Sequence, residues 1–288
     1  MLAIAMASYL SVYPILLLPP IILLCLACQS ASMTTGAVDA LQAQGPAADS
    51  RTNGAPVPKN QQSTISTVLL KAPKTETRSF LRAVAKCVTS FGAALWALIF
   101  VSYLLLGQSW DFLSSVYGVH VLLPDLTPNV GLWWYFFIEI FDAFREFFLG
   151  VFWLHLASYS AGLSIRLYAQ PLAAVIALMG LSAVFKPYPS VGDAALFLSM
   201  LPIYSHVFPL RRYSFVGWTA LAYSAFLGPA FHYLWIYAGS GNANFFYAIT
   251  LVWSLGLGII IADFIYACLR DEWEVERPEM RGREAKQI

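Results

Sequence analysis

Residues 87–106 read CVTSFGAALWALIFVSYLLL. This uncharged run has the ~20 residues that an α-helix needs to cross the hydrocarbon core of a bilayer, and Lys86 and Gly107 bound it. The rest of the chain agrees with that solvent. Of 288 residues, 59% are hydrophobic and only 11% charged, against roughly 25% charged in a soluble domain. So few polar side chains cannot coat a water-soluble globule, and a mean hydropathy of +0.65 spreads the apolar excess over the whole chain. The fold class expected is all-α, a polytopic bundle of membrane helices. A net charge of +1, with no basic stripe interleaved with aromatics, excludes a nucleic-acid binder.

On the N-terminal side of that span, residues 29–86 turn to Gln, Ser, Thr, Gly, Pro and Ala with scattered Lys and Arg. Such a composition does not bury a core, so a polar, mostly disordered insert is expected there. Before it, residues 1–28 carry SVYPILLLPPIILLC, whose Pro14, Pro19 and Pro20 predict a kinked membrane helix. The absence of a basic n-region argues against a signal peptide. On the C-terminal side, residues 107–131 read as an interfacial loop with turn chemistry at PDLTPN. Residues 132–163 are apolar but too long for one perpendicular span: either a surface or re-entrant helix feeds a true span, or one tilted helix has an interfacial first half. Further apolar stretches at 171–185, 192–210, 215–238 and 245–267 bring the count to about seven membrane segments. The multi-span domain thus covers 87–269, and a charged tail covers 270–288.

The charges orient this arrangement. If the insert is cytoplasmic, alternation places Arg166, then Arg211 and Arg212, then the tail on the same side. That side collects fifteen of the seventeen Lys and Arg residues, as the positive-inside rule requires. Arg145 and Lys186 are the exceptions. The loops PDLTPN, KPYPS and GSGNAN then face the lumen together.

Three polar features stand out. In FIEIFDAFREFF, Glu139, Asp142 and Glu146 recur at spacings of three and four, which on one helix gives a shared face with Arg145 beside Asp142. Ionisable groups at membrane depth cost about 2.5 to 3.5 kcal/mol each and so point to function. An interfacial helix, or a face packed on lipid or a partner subunit, explains the same spacing, and Trp133, Trp134 and Tyr135 favour the interface. In the turn AGSGNAN, small residues permit close backbone approach, while Asn242 and Asn244 supply donors and acceptors for sugar hydroxyls or phosphate oxygens. Ordinary helix–turn–helix chemistry uses the same residues. At KPYPS, Lys186 suits a lipid phosphate with Asp193 as counter-charge, or is a lysine snorkelling from a helix end. Asp263, in the last span, is expected to face protein.

Catalytic signatures are missing. His120, His155, His206 and His232 form no HExxH or i, i+4 pair, and no GxSxG occurs, so metal or serine-hydrolase chemistry is not indicated. Cys25-x-x-Cys28 stands without a second such pair or a nearby His, and the four cysteines read as packed or lipid-facing thiols. No metal or cofactor is expected.

Three blocks carry a family signature: PDLTPNVGLWWYFFIEIFDAFREFFLGVF, FKPYPSVGDAALFLSMLPIY and LWIYAGSGNANFFYAITL. They resemble the phosphatidylinositol glycan anchor biosynthesis class U (PIG-U) family, a multi-span subunit of GPI transamidase, and LAIAMASYLSVYPILLL looks like a segment from the middle of that family. The resemblance spans the chain except the polar insert and the tail beyond about Glu272. It implies a non-catalytic subunit in the endoplasmic reticulum membrane that binds and presents the GPI lipid. The implied partners are GPI, membrane lipids and the other transamidase subunits, including the caspase-like cysteine protease that cleaves the precursor. It also implies a fold similar to the GT-C-type membrane core of GPI mannosyltransferases. Asn242 and Asn244 match the family's GPI-contacting turn, and Lys186 and Pro187 fall at a loop that meets head groups. Family members carry further N-terminal spans, so the chain reads as N-terminally short. The alternative is a mannosyltransferase-like enzyme of the GPI or dolichol pathway, using Asp111, Asp125, Glu139 or Asp142.

Overall fold

The computed structural model describes residues 1–29, 77–123, 126–280 and 283, and every regular element among them is helical. Helices α1 (Leu2–Leu10) and α2 (Tyr13–Gln29) are separated at Ser11, which is extended. Pro14 lies in the first turn of α2, where the missing N–H costs no helical bond. Helix α3 (Thr77–Leu105) begins ten residues before the apolar span. Residues 77–86, assigned by composition to the polar insert, form its first turns, because Leu, Ala, Arg and Lys propagate a helix once the apolar span has nucleated it. Of the insert and the tail, residues 30–76, 281–282 and 284–288 lie outside the described residues.

Left-handed Gly107 and Gln108 end α3, as C-terminal caps do. The region expected to be a loop then contains a helix, α4 (Leu113–Leu122), whose first part is π-helical. Next come α5 (Trp133–Glu139) and α6 (Asp142–Arg166), separated by extended backbone at Ile140 and Phe141. The long stretch 132–163 is thus a short helix feeding a second one that is long and apolar enough to span. Glu139 closes one helix while Asp142, Arg145 and Glu146 open the next, so the four do not share one continuous helical face.

Helix α7 (Pro171–Phe185) leads to α8 (Val191–Leu210), which starts in a capping box formed by Ser190 and Asp193. Pro202 removes an α-helical N–H, and α8 continues from Leu201 with 3₁₀ geometry. Two long antiparallel helices complete the chain, α9 (Ser214–Ile236) and α10 (Ala243–Glu276). Helices α3, α6, α8 and α10 are long and apolar enough to cross a membrane. Among the other expected segments, α2 and α7 are apolar but shorter, and α9 is diluted by Trp, Tyr, His and Pro229.

Helix α7 sits at the centre. It is apolar all round, the pattern of a fully buried helix, and ten of its fifteen residues are buried. Its neighbours are α2, α6, α8 and α10, and the main core includes Ile176, Phe197, Tyr204, Leu257, Ile260 and Phe264. Without an aqueous driving force between membrane helices, close contact depends on small residues. A Cβ on Gly217 of α9 would lie 2.6 Å from Ile260 Cγ1, and one on Gly256 of α10 would lie 3.1 Å from the Leu221 nitrogen. Gly180 of α7 is likewise covered by Ile261 and Phe197. Helices α1 and α3 pack on each other through Ile4, Ala5 and Phe91.

Candidate functional site

Three polar loops converge at the end of the bundle where α9 turns into α10. The α9 carbonyls of Tyr233 and Leu234 accept the amides of Ala238, Ser240 and Gly241 at 3.0–3.1 Å, and Gly239 is left-handed at φ 62°. Gly241 lies so close to the end of α9 that an added Cβ would approach the Trp235 nitrogen to 3.1 Å. These are the marks of a glycine-terminated helix. Asn242 then starts α10, its Oδ1 accepting the Phe245 N–H at 3.2 Å, the N-cap arrangement that satisfies an otherwise orphan donor. Asn244 accepts the Tyr135 hydroxyl. Both asparagines are exposed.

Tyr135 belongs to α5, so that bond ties two of the three loops together. It also stacks on Tyr247 at 4.6 Å, and the Tyr247 hydroxyl donates to the Leu132 carbonyl at 3.1 Å. Beneath them Trp134 is buried against Trp235 and Phe246, with ring centroids 6.2 and 5.9 Å away. An aromatic layer of this kind is rigid and apolar on its faces while keeping polar tips at the rim.

The third loop joins through α5 as well. Asn129 Nδ2 donates to the Thr127 carbonyl at 3.0 Å and to the Pro187 carbonyl at 3.1 Å, and its Oδ1 accepts the Gly131 N–H at 2.7 Å. The Tyr188 hydroxyl accepts the Thr127 N–H at 3.1 Å, and Trp133 Nε1 donates to the Phe185 carbonyl at 3.1 Å. Gly131 is needed here because a Cβ would fall 2.7 Å from the Pro189 ring. Pro187 itself is buried.

Lys186 has its partner within the fold. Its Nζ is 2.6 Å from Asp193 Oδ2 and 5.9 Å from the centre of the Tyr13 ring. The same carboxylate accepts from the Ser190 N–H and hydroxyl, each at 2.7 Å. Arg145 is also committed: its Nη1 donates to the Phe137 carbonyl at 3.2 Å and its Nη2 to the Leu123 carbonyl. It thereby satisfies carbonyls at the ends of α5 and α4 that no intrahelical N–H reaches. Glu139, Asp142 and Glu146 are exposed beside it. Asp263, at the opposite end, is buried, accepting the Arg212 N–H at 2.7 Å and the Ser214 hydroxyl at 3.0 Å.

Chemically, the cluster offers exposed amides and a tyrosine hydroxyl over an aromatic layer. Among the described residues no three His, Cys, Asp or Glu side chains converge as a metal site would need. The residues that stitch the loops, Asn129, Tyr135, Tyr188 and Tyr247, are not singled out by spacing. Only the Asn129-Val130-Gly131 turn after Pro128 carries a local signal.

Comparison with known proteins places the chain in one family. The family described as GPI transamidase subunit PIG-U matches residues 1–253. The Saccharomyces cerevisiae GPI transamidase component GAB1 is 40% identical over 205 residues, which is 71% of this chain and 52% of that protein. The Homo sapiens GPI-anchor transamidase component PIGU is 43% identical over 180 residues, 62% of this chain and 41% of its own length. The Schizosaccharomyces pombe GAB1 homolog is 45% identical over 181 residues, 63% and 44% respectively. The chain spans about half the length, or less, of these relatives.

Proposed function

The chain belongs to the PIG-U family of GPI transamidase subunits, and from that premise we propose that it serves the GPI transamidase complex as a non-catalytic membrane subunit. In this role it binds the GPI lipid and presents it to the caspase-like protease subunit in the endoplasmic reticulum membrane. The observation that carries the reading is the convergence of the three loops, with Asn242 and Asn244 exposed at its rim. Amides in such a position suit the hydroxyl and phosphate oxygens of a glycolipid head group. An apolar groove of about 490 Å³ between α6, α7 and α10 descends from Leu132 and Phe185, at the foot of the cluster, toward Ile265. That continuity fits a lipid whose head group rests on the loops and whose chain enters the groove.

On this reading the loop cluster faces the lumen, and the basic ends of the helices face the cytoplasm. The bundle makes about seven crossings in a core similar to that of GT-C-type enzymes. Lys186 and Pro187 shape the loop from within, and the exposed Glu139, Asp142 and Glu146 border lipid or a partner subunit.

The test uses cells lacking the subunit, complemented with the full-length coding sequence. Asn242→Ser keeps an N-cap oxygen and is combined with Asn244→Ala; surface display of GPI-anchored proteins is measured by flow cytometry at matched protein abundance. A marked fall in display is expected. Wild-type display by the double variant would remove the proposed role of the turn.

A further inference from the structure

A second polar site lies at the opposite end of the bundle, where α9 begins. There a cleft of about 350 Å³ opens between the first turn of α9 and the α10 segment that includes Ile259 and Tyr266. Its walls change character with depth. Arg212, Tyr213 and Tyr266 ring the mouth, and Val216, Ile259 and Ala262 form the floor. At ~1.5 Å of rise per residue, Ile259 lies about 10 Å further along α10 than Tyr266, toward the middle of the bundle. The volume is that of an ordinary small-ligand site.

The electrostatics of the mouth favour an anion. The Arg212 guanidinium rests 4.5 Å from the centre of the Tyr266 ring, and it makes no ion pair or hydrogen bond with another described residue. Asp263 also borders the cleft, yet both its oxygens are occupied, one by the Arg212 N–H and one by the Ser214 hydroxyl. The Arg211 guanidinium, packed 4.6 Å from the Phe208 ring centre, lies within electrostatic reach of Asp263 as well. The lining thus carries one guanidinium and one carboxylate, and the carboxylate oxygens already accept bonds from the start of α9. The available cation is Arg212, whose planar fork matches phosphate geometry.

From this gradient of a free cation over an apolar floor, we propose that the cleft holds an anionic phospholipid of the leaflet opposite the three-loop cluster. The phosphate sits on Arg212 between the two tyrosine rings, and the upper part of one acyl chain lies against Val216, Ile259 and Ala262. Tyrosine and arginine at this depth match the interfacial preferences of both side chains. Its mouth is separate from the three-loop cluster, since α9 and α10 run their whole bundle length between the two, although Ala262 also lines the far end of the groove described above. Its lipid holds the start of α9 against α10, beside the Asp263 cap.

The full-length protein, purified in mild detergent and equilibrated with mixed micelles of phosphatidylserine and phosphatidylcholine of matched chains, tests this by native mass spectrometry. Wild-type protein retains phosphatidylserine in preference to phosphatidylcholine. Arg212→Gln lowers that retention about fivefold, the factor expected for one cation at a lipid surface. Val216→Trp, which fills the floor without changing charge, lowers it as well, while Arg277→Gln, an exposed cation outside the cleft, leaves it unchanged. Both cleft positions are exposed, and melting temperatures equal to wild type confirm that loss of lipid is not loss of fold. Equal retention of the two lipids by wild type, or wild-type retention by either cleft variant, overturns the proposal. Displacement of the lipid by inorganic phosphate overturns it too, by making the cleft a site for free anions. So does loss of a partner subunit in Val216→Trp with lipid retention intact.

Discussion

Helices α3 and α10 are similarly apolar, yet only 6% of the most apolar stretch of α3 is buried against 44% of that of α10. Both satisfy the same requirement, a long apolar stretch free of charge within a longer helix, and only one is part of the core. The difference lies in small residues at the right places. Helix α10 meets α9 through Gly256 and Gly217, with backbone atoms and Ile260 filling the space that side chains would occupy. In α3, by contrast, Gly92 has nothing within 4 Å of the position of a Cβ. Lipid chains are as apolar as leucine, so apolarity admits a helix to the membrane without selecting its neighbours; close backbone contact does that.

This contrast can be broken most severely at the glycines. Gly217→Leu should destabilise the bundle by about 3 kcal/mol or more, since Ile260 and the α10 backbone have to move; thermal unfolding in detergent measures it. Gly92→Leu, the same change on α3, should stay within about 0.5 kcal/mol. Equal losses at both positions would dismiss the idea that small residues distinguish the two helices.

Asp263→Ala comes next, with an expected loss of about 2 kcal/mol by the same assay. It orphans the Arg212 N–H and the Ser214 hydroxyl and removes a carboxylate that acts electrostatically on Arg211. Burial pulls the Arg211 guanidinium below its ordinary pKa while Asp263 opposes that shift. Asp263→Asn, which keeps an acceptor, should recover part of the loss. Arg145→Met should cost about 1.5 kcal/mol by leaving the Phe137 and Leu123 carbonyls without a charged donor. Hydrogen exchange should then report opening at the α5–α6 junction ahead of the core.

Asn242→Ala should cost about 1 kcal/mol as a lost N-cap, whereas Asn242→Ser should be nearly neutral in melting temperature. The smallest effect is expected from Gly92→Ala, which adds helix propensity to an open position. It should raise stability by up to about 0.5 kcal/mol.

Several features were legible from the residues alone because they depend on local chemistry. The all-helical class followed from long uncharged runs, and the excess length of 132–163 over a bilayer left two options, of which the broken pair of helices is the one found. The inward-facing role of Asp263 followed from the cost of a carboxylate at membrane depth. Other readings failed where distant atoms intervene. Glu139 is separated from Asp142 by the extended pair Ile140 and Phe141, where the chain turns so that α5 can bury Trp134 and Phe137. Helix α4 was read as loop because the turn chemistry of PDLTPN and the polar and aromatic residues Trp110 and Asp111 coloured the whole of 107–131, although the end of α3 beside it is held by Trp110 stacked on Tyr103 at 4.4 Å. The dual use of Asn242, as helix cap and as candidate lipid contact, was visible as two alternatives. Geometry shows the cap without removing the exposure.

The sequence by itself determined the solvent, the helical class, the polar loops and the family blocks, because hydropathy, helix length and motif are properties of contiguous residues. Tertiary structure alone decided which apolar helix is central, that Arg145 caps two helix ends, and that Asn129, Tyr135, Tyr188 and Tyr247 join three distant loops. Those outcomes rest on contacts between residues far apart in the chain, such as Tyr135 with Asn244. A hydrogen bond or a close glycine crossing exists only once packing has brought both partners to one place.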